Sequence, residues 1–332
     1  MRGAAVTLKL STPGHIAQQF HAGVDRRKNF MDSEEQSSGT TVVTTAPIAR
    51  TEIPRPTKAG EGARSDRYWS GKVVLVTGGS SGLGRALAEA FAGSGADVVV
   101  AARSIERLES AAVELRGFGT RVAAIAVDVT RQEQVDSLIG QTVAQFGRLD
   151  VLVNNVGRST RGALADTSAE EFAALMDINF YSAVRCTRAA LPHLIRNRGH
   201  LVNIGSLSGK SASRYVGAYS ATKFALAVYT QQLRMELRGQ GVYVMLVSLG
   251  LIAREDAGQR YADKTEGLPP RAAKLGAGVR ISPVRPERLA VAILKACRRR
   301  QPELIYPPLA RLFIAAIHLF PRLGDWLVRR MT

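Results

Sequence analysis

A tyrosine and a lysine, Tyr219 and Lys223, stand four residues apart in a stretch whose pattern is typical of a helix. Residues at i and i+4 share one helix face, so the phenol and the ammonium are expected to lie side by side. A free phenol has a pKa of about 10, too high for efficient proton transfer at neutral pH, and a neighbouring ammonium lowers that pKa. The pair therefore predicts proton transfer to or from a substrate oxygen, although the spacing alone also occurs by chance.

A glycine-rich turn precedes this pair by about 140 residues. It runs from Thr77 to Gly84 as Thr-Gly-Gly-Ser-Ser-Gly-Leu-Gly, between an apolar run and a helical pattern that starts at Gly84. Glycines let the backbone approach a pyrophosphate, and the free amides of a helix N-terminus attract it. The residues predicted to hold the phosphates are Gly78, Ser80, Ser81, Gly82, Leu83 and Gly84. A dinucleotide beside a proton donor predicts redox chemistry on a carbonyl or an alcohol.

Short apolar runs alternate with amphipathic stretches from Lys72 onward, which indicates strands that alternate with helices. The runs are 73–77, 97–102, 121–127, 150–154, 200–206, 242–248 and 303–306. Continuous apolar runs are typical of strands buried on both faces. Capping-box patterns that begin at Thr130 and Ser168 predict capped helix starts. The predicted fold is α/β, a doubly wound parallel sheet (Rossmann fold) with helices on both faces.

The spacing G-x-x-x-G-x-G, together with Tyr-x-x-x-Lys, resembles the short-chain dehydrogenase/reductase family over residues 72 to about 300. The segment 154–157, Asn-Asn-Val-Gly, resembles that family's Asn-Asn-Ala-Gly, and Asp128 resembles its adenine-contacting aspartate. A helix cap near Thr130 is the alternative role for Asp128, and the two roles are compatible. The cofactor contacts that the resemblance implies here are Asp128, Val129, Asn155, Gly157, Tyr219 and Lys223.

The same resemblance implies a catalytic set of Asn179, Ser206, Tyr219 and Lys223. In the family, the residue matching Ser206 hydrogen-bonds the substrate oxygen, and the one matching Asn179 holds a water that links the lysine to solvent. The lysine also holds the ribose hydroxyls of the nicotinamide. Ser208 is a competing serine, less well placed because it follows the strand end.

The end of the second apolar run bears on which dinucleotide is bound. An acidic residue there would accept hydrogen bonds from the ribose 2′-hydroxyl and repel a 2′-phosphate, but the residue is Arg103. A guanidinium offers a planar set of donors that matches a phosphate. We therefore expect NADP(H), with NAD(H) as the less favoured alternative.

Two departures from the family pattern follow the sixth apolar run. Leu249 stands where the family usually has proline, and Arg254 occupies the place of a threonine that contacts the nicotinamide carboxamide. Backbone groups of Ile252 could still bind the carboxamide. Residues 255–284 lie where the family places its substrate lid, and a plain surface loop is the alternative.

The formal net charge is +17, and residues 285–332 hold ten Lys/Arg against three Asp/Glu. Apolar residues at helical spacing accompany these charges over 309–320, Pro321 should break the helix, and Leu323, Trp326 and Leu327 continue the pattern. This stretch could pack on the domain, contact a second subunit in a homo-oligomer, or lie in a membrane surface. A solvated basic face is the alternative. Nucleic acid is not an expected partner, because the sequence contains no recognised nucleic-acid-binding motif.

The predicted organisation has three parts: a disordered tail over 1–68, an oxidoreductase domain over 69–306, and amphipathic helices over 307–332. Met31 is a plausible start, so residues 1–30 are either untranslated or a targeting segment. Cys186 and Cys297 lack ligand-like spacing and the five histidines are scattered, so no metal site is expected. The expected protein is a cytoplasmic oxidoreductase for a lipophilic carbonyl or alcohol, with peripheral contact to a membrane as one alternative. A catalytically silent cofactor-binding or scaffold protein on the same fold is the alternative.

Overall fold

The computed structural model describes residues 68–254, 261, 265, 267–274, 277 and 282–331. These residues form a seven-stranded sheet with the order β3-β2-β1-β4-β5-β6-β7, in which each neighbouring pair is parallel. The strands are β1 Val73–Thr77, β2 Asp97–Ala102, β3 Val122–Ala126, β4 Val151–Asn154, β5 His200–Ile204, β6 Tyr243–Leu249 and β7 Glu303–Tyr306. The prediction of a doubly wound parallel sheet is confirmed.

Helices cover both faces of this sheet and continue past its last strand. They are α1 Gly82–Gly93, α2 Ile105–Arg116, α3 Gln132–Phe146, α4 Ala169–Met176, α5 Ser182–Arg196, α6 Tyr219–Glu236, α7 Pro286–Arg298, α8 Ala310–Leu319 and α9 Pro321–Met331. A single π-helical turn, Asp177–Tyr181, joins α4 to α5, and a short 3₁₀ helix, Leu207–Gly209, follows β5. Another 3₁₀ turn, Pro270–Ala273, lies between β6 and α7.

The strands are buried on both sides because each face of the sheet carries its own apolar core. β1, β4 and β5 are buried at every position. One core contains Leu87, Phe91 and Ile293, and the other contains Leu138, Phe146 and Leu194. Continuous rather than alternating apolar runs are what a sheet covered on both faces requires.

The strand order reverses at β1, which has β2 on one side and β4 on the other. In a doubly wound sheet, the connections after these two central strands leave toward opposite faces, and a crevice opens at their carboxyl ends. The glycine-rich turn follows β1 and the segment that starts at Asn155 follows β4, so both lie at this crevice.

Two helix starts differ from the sequence patterns. The capping box predicted at Thr130 is wrong: α3 begins after Arg131, and the Thr130 hydroxyl donates instead to Asp128 Oδ1 at 2.8 Å. The box at Ser168 is confirmed, with Ser168 and Glu171 each bonding the other's backbone amide. Asp128 lies two residues before Thr130 and competes for its side chain, which the box pattern ignores.

No described helix is long and apolar enough to cross a membrane. Cys186 and Cys297 are both buried and unpaired, and burial raises the pKa of the Cys186 thiol to about 12. The predicted disordered tail lies outside the described residues except for Tyr68, whose hydroxyl is 2.9 Å from Nε2 of the buried His200.

Candidate active site

The glycine-rich turn is held against β4 by two polar side chains. Thr77 Oγ1 donates to Val153 O at 3.2 Å and accepts from the Asn155 amide at 3.0 Å. The Asn155 side chain donates to Thr77 O at 3.0 Å and Gly78 O at 3.3 Å. A Cβ at Gly84 would lie 2.1 Å from Gly78 O, so only glycine permits this approach of α1 to β1. The Asn155 amide thus shapes the turn predicted to bind the phosphates.

The first turn of α1 presents backbone donors beside this compact turn. The first helical bond runs from the Arg85 amide to Ser81 O, so the amides of Gly82, Leu83 and Gly84 precede the helical ladder. The Ser81 side chain does not cap them, and Ser81 and Gly82 are exposed. A helix N-terminus whose amides lie beside glycines without side-chain bulk fits a pyrophosphate. The residues present therefore fit a bound dinucleotide.

Arg103 and Asp128 lie at the carboxyl ends of β2 and β3, next to the turn in the strand order. Arg103 is exposed. The pKa of Asp128 lies below its usual range, mainly because the Thr130 amide donates to its carboxylate, with smaller help from Arg103 and Arg131. Val129, the next residue, is buried. Arg103 is thus close enough to Asp128 to lower the pKa of that carboxyl. Both predicted adenosine contacts lie on one side of the glycine-rich turn.

The segment after β4 is fixed by Asn179, which sits in the π-helical turn. Its Oδ1 accepts from the Arg158 amide at 2.7 Å, and its Nδ2 donates to Arg158 O at 2.9 Å and to Thr222 Oγ1 at 3.0 Å. A Cβ added at Gly157 would lie 3.3 Å from both Asn179 Oδ1 and Lys223 Nζ. Three predicted site residues, Gly157, Asn179 and Lys223, are therefore brought together.

Lys223 is buried, and its ammonium donates to Ile204 O at 2.9 Å. Its Nζ lies 6.0 Å from the centre of the Tyr219 ring, on the shared face of α6. Burial lowers the pKa of Lys223 to about 8, because removing water disfavours the charged form. The phenol and the ammonium are therefore neighbours, as their spacing predicts, and the lysine is anchored to the end of β5.

Ser206 follows β5 and begins the short turn Leu207–Gly209. Its Oγ accepts a hydrogen bond from the Ser208 amide at 3.1 Å. Ser206 is two residues after Ile204, whose carbonyl binds Lys223, so the serine and the lysine belong to one strand end. Ser208 contributes its backbone to this arrangement by orienting the Ser206 hydroxyl oxygen.

The segment in which Leu249 and Arg254 depart from the family pattern lies at the end of β6. Leu249 is buried as the last residue of that strand, and Arg254 is exposed. Ile252 forms a parallel bridge with Val284 that uses Leu251 O and the Ala253 amide, at 2.9 Å each. In such a bridge the amide of the central residue faces the other side, so the Ile252 backbone points away from Val284.

Several buried polar residues support the site, although they are not among the predicted site residues. Asn154 Nδ2 donates to Thr187 Oγ1 at 3.0 Å and to Asn203 Oδ1 at 2.9 Å, and Asn203 Nδ2 donates to Thr230 Oγ1 at 2.9 Å. This chain of bonds ties β4 and β5 to α5 and α6. Thr222 lies three residues after Tyr219, donates to Tyr219 O at 2.7 Å and accepts from Asn179 Nδ2. Helical spacing could have suggested the first of these bonds but not the second. Together these bonds give the site a rigid support.

Comparisons with known proteins agree with this geometry. The family model of the short chain dehydrogenases matches residues 72–265. A dehydrogenase/reductase SDR family protein 7-like from Drosophila melanogaster is 30% identical over 273 residues, which cover 78% of this chain and 80% of the relative.

Solved structures give the same result. L-Sorbose reductase from Gluconobacter frateurii, complexed with NADPH and L-sorbose, is 29% identical at a TM-score of 0.64, over 71% of this chain and 95% of that one. A short chain dehydrogenase/reductase from Burkholderia phymatum in complex with NAD is 26% identical at a TM-score of 0.68, over 77% and 95%. Since the family model matches more than half of the sequence, the chain belongs to the short-chain dehydrogenase/reductase family, oxidoreductases that use a nicotinamide cofactor on small molecules.

Proposed function

We propose that the protein is an NADP(H)-dependent oxidoreductase that interconverts a carbonyl and an alcohol on a lipophilic substrate. The observation that carries the proposal is the buried Lys223 ammonium, bound to Ile204 O at the end of β5 and adjacent to Tyr219 on α6. Burying a charge is costly, so a lysine in this position is best explained by a task that needs its charge. NADP(H), when bound, supplies or accepts the hydride at nicotinamide C4.

In this proposal the chain's own groups handle the proton and the charge on the substrate oxygen. Tyr219 gives a proton to the oxygen during reduction and removes one during oxidation. Lys223 stabilises the phenolate form of Tyr219, and the Ser206 hydroxyl donates to the substrate oxygen as negative charge develops there. Asn179 fixes the Arg158 backbone and Thr222, and so positions the segment that faces Lys223. We also propose that Asn179 holds the water that links the lysine to solvent.

A catalytically silent cofactor-binding or scaffold protein is the second candidate, and Leu249 and Arg254 favour it. It predicts cofactor binding without turnover. The two candidates separate when purified protein is screened with NADPH and NADH against steroids, keto-lipids, quinones and sugars. Carbonyl-dependent oxidation of the reduced cofactor supports the oxidoreductase, and binding without any oxidation supports the silent protein.

Arg103→Ala is expected to weaken NADPH binding selectively. The Arg103 guanidinium stands at the end of β2, a strand end without an acidic side chain that would repel a 2′-phosphate. A hydrogen bond to a charged group contributes about 1.5–3 kcal/mol. We expect the dissociation constant of NADPH to rise roughly ten- to a hundred-fold, while that of NADH stays the same. Fluorescence titration of both cofactors measures this.

Arg116→Ala is the matched control, because Arg116 is an equally exposed arginine at the far end of α2. It should leave both dissociation constants unchanged. Equal affinities of the wild-type protein for the two cofactors, or equal losses in Arg103→Ala, would argue against NADP(H) preference.

We further propose that α8 and α9 bring the protein to a membrane surface. Their outer side exposes large apolar residues, with Leu309 at 77%, Leu312 at 72% and Leu319 at 73% exposure. Their inner side is fixed: Ile317 is buried against Gly324, where a Cβ would lie 2.9 Å from Ile317 Cβ, and His318 Nε2 binds Lys210 O at 2.7 Å. The exposed residues are therefore held on an anchored pair of helices rather than a free tail.

The charges on these helices suit an anionic surface. Arg311, Arg322, Arg329 and Arg330 accompany one acidic residue, Asp325, within 310–331. Arg330 lies over the exposed Trp326 ring at 5.4 Å, an arrangement suited to the boundary between headgroups and acyl chains. Each arginine near such a surface adds on the order of 1 kcal/mol of attraction.

The double substitution Leu319→Glu/Phe320→Glu is expected to reduce flotation with anionic liposomes by about ten-fold or more, since two apolar side chains would lose their burial. Val113→Glu/Phe118→Glu is the control, because these residues are exposed to a similar degree (64% and 50%) on another part of the domain. Flotation should also weaken with added salt. Equal flotation of the two double variants would contradict the membrane proposal. A wild-type dimer that becomes monomeric only in Leu319→Glu/Phe320→Glu would contradict it as well, because these residues would then form a subunit contact.

We also propose a homo-oligomer that uses another surface. Val228 and Met235 are exposed on one side of α6, seven residues apart. Large apolar side chains on one helix face indicate a contact surface.

A further inference from the structure

We infer that Arg161 is a positioning residue that holds Tyr261 and residues 267–274, called the arch below, against the segment after β4, at the site of the proposed oxidoreductase. Arg161 is an arginine with only 7% of its surface exposed, in the segment that follows β4. Burial on this scale is unusual for a side chain that is always charged. Its contacts explain why it is placed there.

The guanidinium of Arg161 binds backbone carbonyls from a distant part of the chain. Nε donates to Ala272 O at 2.7 Å and Nη2 donates to Lys274 O at 3.1 Å, while Nη1 donates to Thr160 O at 2.8 Å. The ring of Tyr261 covers the guanidinium at 3.8 Å, and the Tyr261 hydroxyl is hydrogen-bonded to Ser159 Oγ. Four contacts thus join the segment after β4 to the segment that lies between β6 and α7.

The sheet order shows what this connection spans. The strands run β4-β5-β6, and their carboxyl ends share one edge because all three are parallel. In the sequence the arch follows β6, and Arg161 fixes it to the segment that follows β4. The strand between them is β5, which ends just before Ser206. The bonds of Arg161 therefore join segments from the two strands that flank β5, the strand at whose end the substrate oxygen is proposed to bind.

The segment that contains Arg161 is itself coupled to the catalytic residues. Asn179 bonds both backbone groups of Arg158, three residues earlier. Gly162, the next residue along, forms a bridge with Val216, and the Gly217 amide donates to Gly162 O at 3.0 Å. Val216 is three residues before Tyr219. Arg161 thus links the arch to the supports of both Asn179 and Tyr219.

Of the predicted lid over 255–284, the structure describes Tyr261, Thr265, 267–274, Ala277 and 282–284, and the rest lies outside the described residues. In this described part Ala272 and Ala277 are fully buried. The Ala272 amide donates to Pro269 O at 2.8 Å and the Ala277 amide to Lys274 O at 3.0 Å. Hydrogen exchange at these two amides reports on whether this part of the chain is held in place.

The test is amide hydrogen exchange of the full chain without cofactor, comparing wild type with Arg161→Ala, Arg161→Lys and Tyr261→Ala. In Arg161→Ala the amides of Ala272 and Ala277 should exchange about ten-fold faster or more, because charged hydrogen bonds that hold the arch are gone. The Gly250 amide, bonded to Tyr306 O at 2.8 Å, should be unchanged and shows that the sheet is intact. Tyr261→Ala should give a smaller increase, and Arg161→Lys an intermediate one, since lysine cannot bond several carbonyls with one planar group.

The exposed Arg238 at the far end of α6 supplies the control variant Arg238→Ala, which should exchange like the wild type. With an active substrate in hand, Arg161→Ala should raise KM at least about ten-fold while the NADPH dissociation constant stays unchanged. Unchanged exchange at Ala272 and Ala277 in both Arg161→Ala and Tyr261→Ala would overturn the inference. Because exchange needs no turnover, that failure is distinct from a failure of the proposed reaction.

Discussion

Tyr219→Phe is expected to lower kcat by between about 100-fold and 10,000-fold, the usual contribution of a positioned proton donor. The substitution removes the phenolic oxygen and keeps the ring, so the packing of α6 is retained. The glycine turn, Arg103 and Asp128 are at other strand ends, so the dissociation constant of NADPH should be nearly unchanged. Steady-state kinetics on any substrate found, together with cofactor titration, measures both effects.

Tyr229→Phe is a suitable control for this variant, because Tyr229 is another tyrosine of α6, ten residues further along. Its ring packs edge-on against Phe180 at 5.6 Å, and it is not among the proposed catalytic residues. Tyr229→Phe should keep most activity. If Tyr219→Phe also keeps most activity, the proton is supplied by another group.

Lys223→Met should damage both turnover and cofactor binding, unlike Tyr219→Phe. Methionine fills a similar volume but has no charge to favour the phenolate and no donor for ribose hydroxyls or Ile204 O. We expect kcat to fall at least about 100-fold. We expect NADPH binding to weaken about ten-fold or more, as charged hydrogen bonds are lost.

A pH series makes the assignment of Lys223 specific. Because burial lowers the pKa of Lys223 to about 8 in the protein without cofactor, raising the pH through this value removes the ammonium. NADPH affinity of the wild type should therefore fall above about pH 8, and Lys223→Met should lack this dependence. The same slope in both proteins, or a methionine variant that binds NADPH as tightly as the wild type, would contradict a charged contact from Lys223.

The parts of this molecule that local patterns specify could be predicted from the sequence. Continuous apolar runs give the buried strands, and the turn from Thr77 to Gly84 marks the first crossover. The neighbourhood of Tyr219 and Lys223 follows from helical spacing alone. The Ser168 box forms as its local pattern predicts, whereas Asp128 takes the hydroxyl of Thr130.

The remaining features depend on contacts between distant segments, for which a single sequence offers no signal. The carbonyls that bind Arg161 are more than a hundred residues away, at Ala272 and Lys274. The polar chain from Asn154 through Asn203 to Thr230 joins three elements whose pairing is decided by the sheet order. The apolar stripe of 309–320 does not say which side is buried, since that is decided where Ile317 meets Gly324.

The central claim, that this chain transfers hydride under the control of Tyr219, is tested most directly by isotope transfer. Full-length protein is incubated with NADPH that carries deuterium at both C4 positions of the nicotinamide and with a panel of lipophilic ketones and aldehydes, and the products are analysed by mass spectrometry. We predict an alcohol with one deuterium on the carbinol carbon, formed by the wild type and lost in Tyr219→Phe. Bound NADPH or NADH with no deuterium in any product, or equal transfer by the two proteins, would contradict the account.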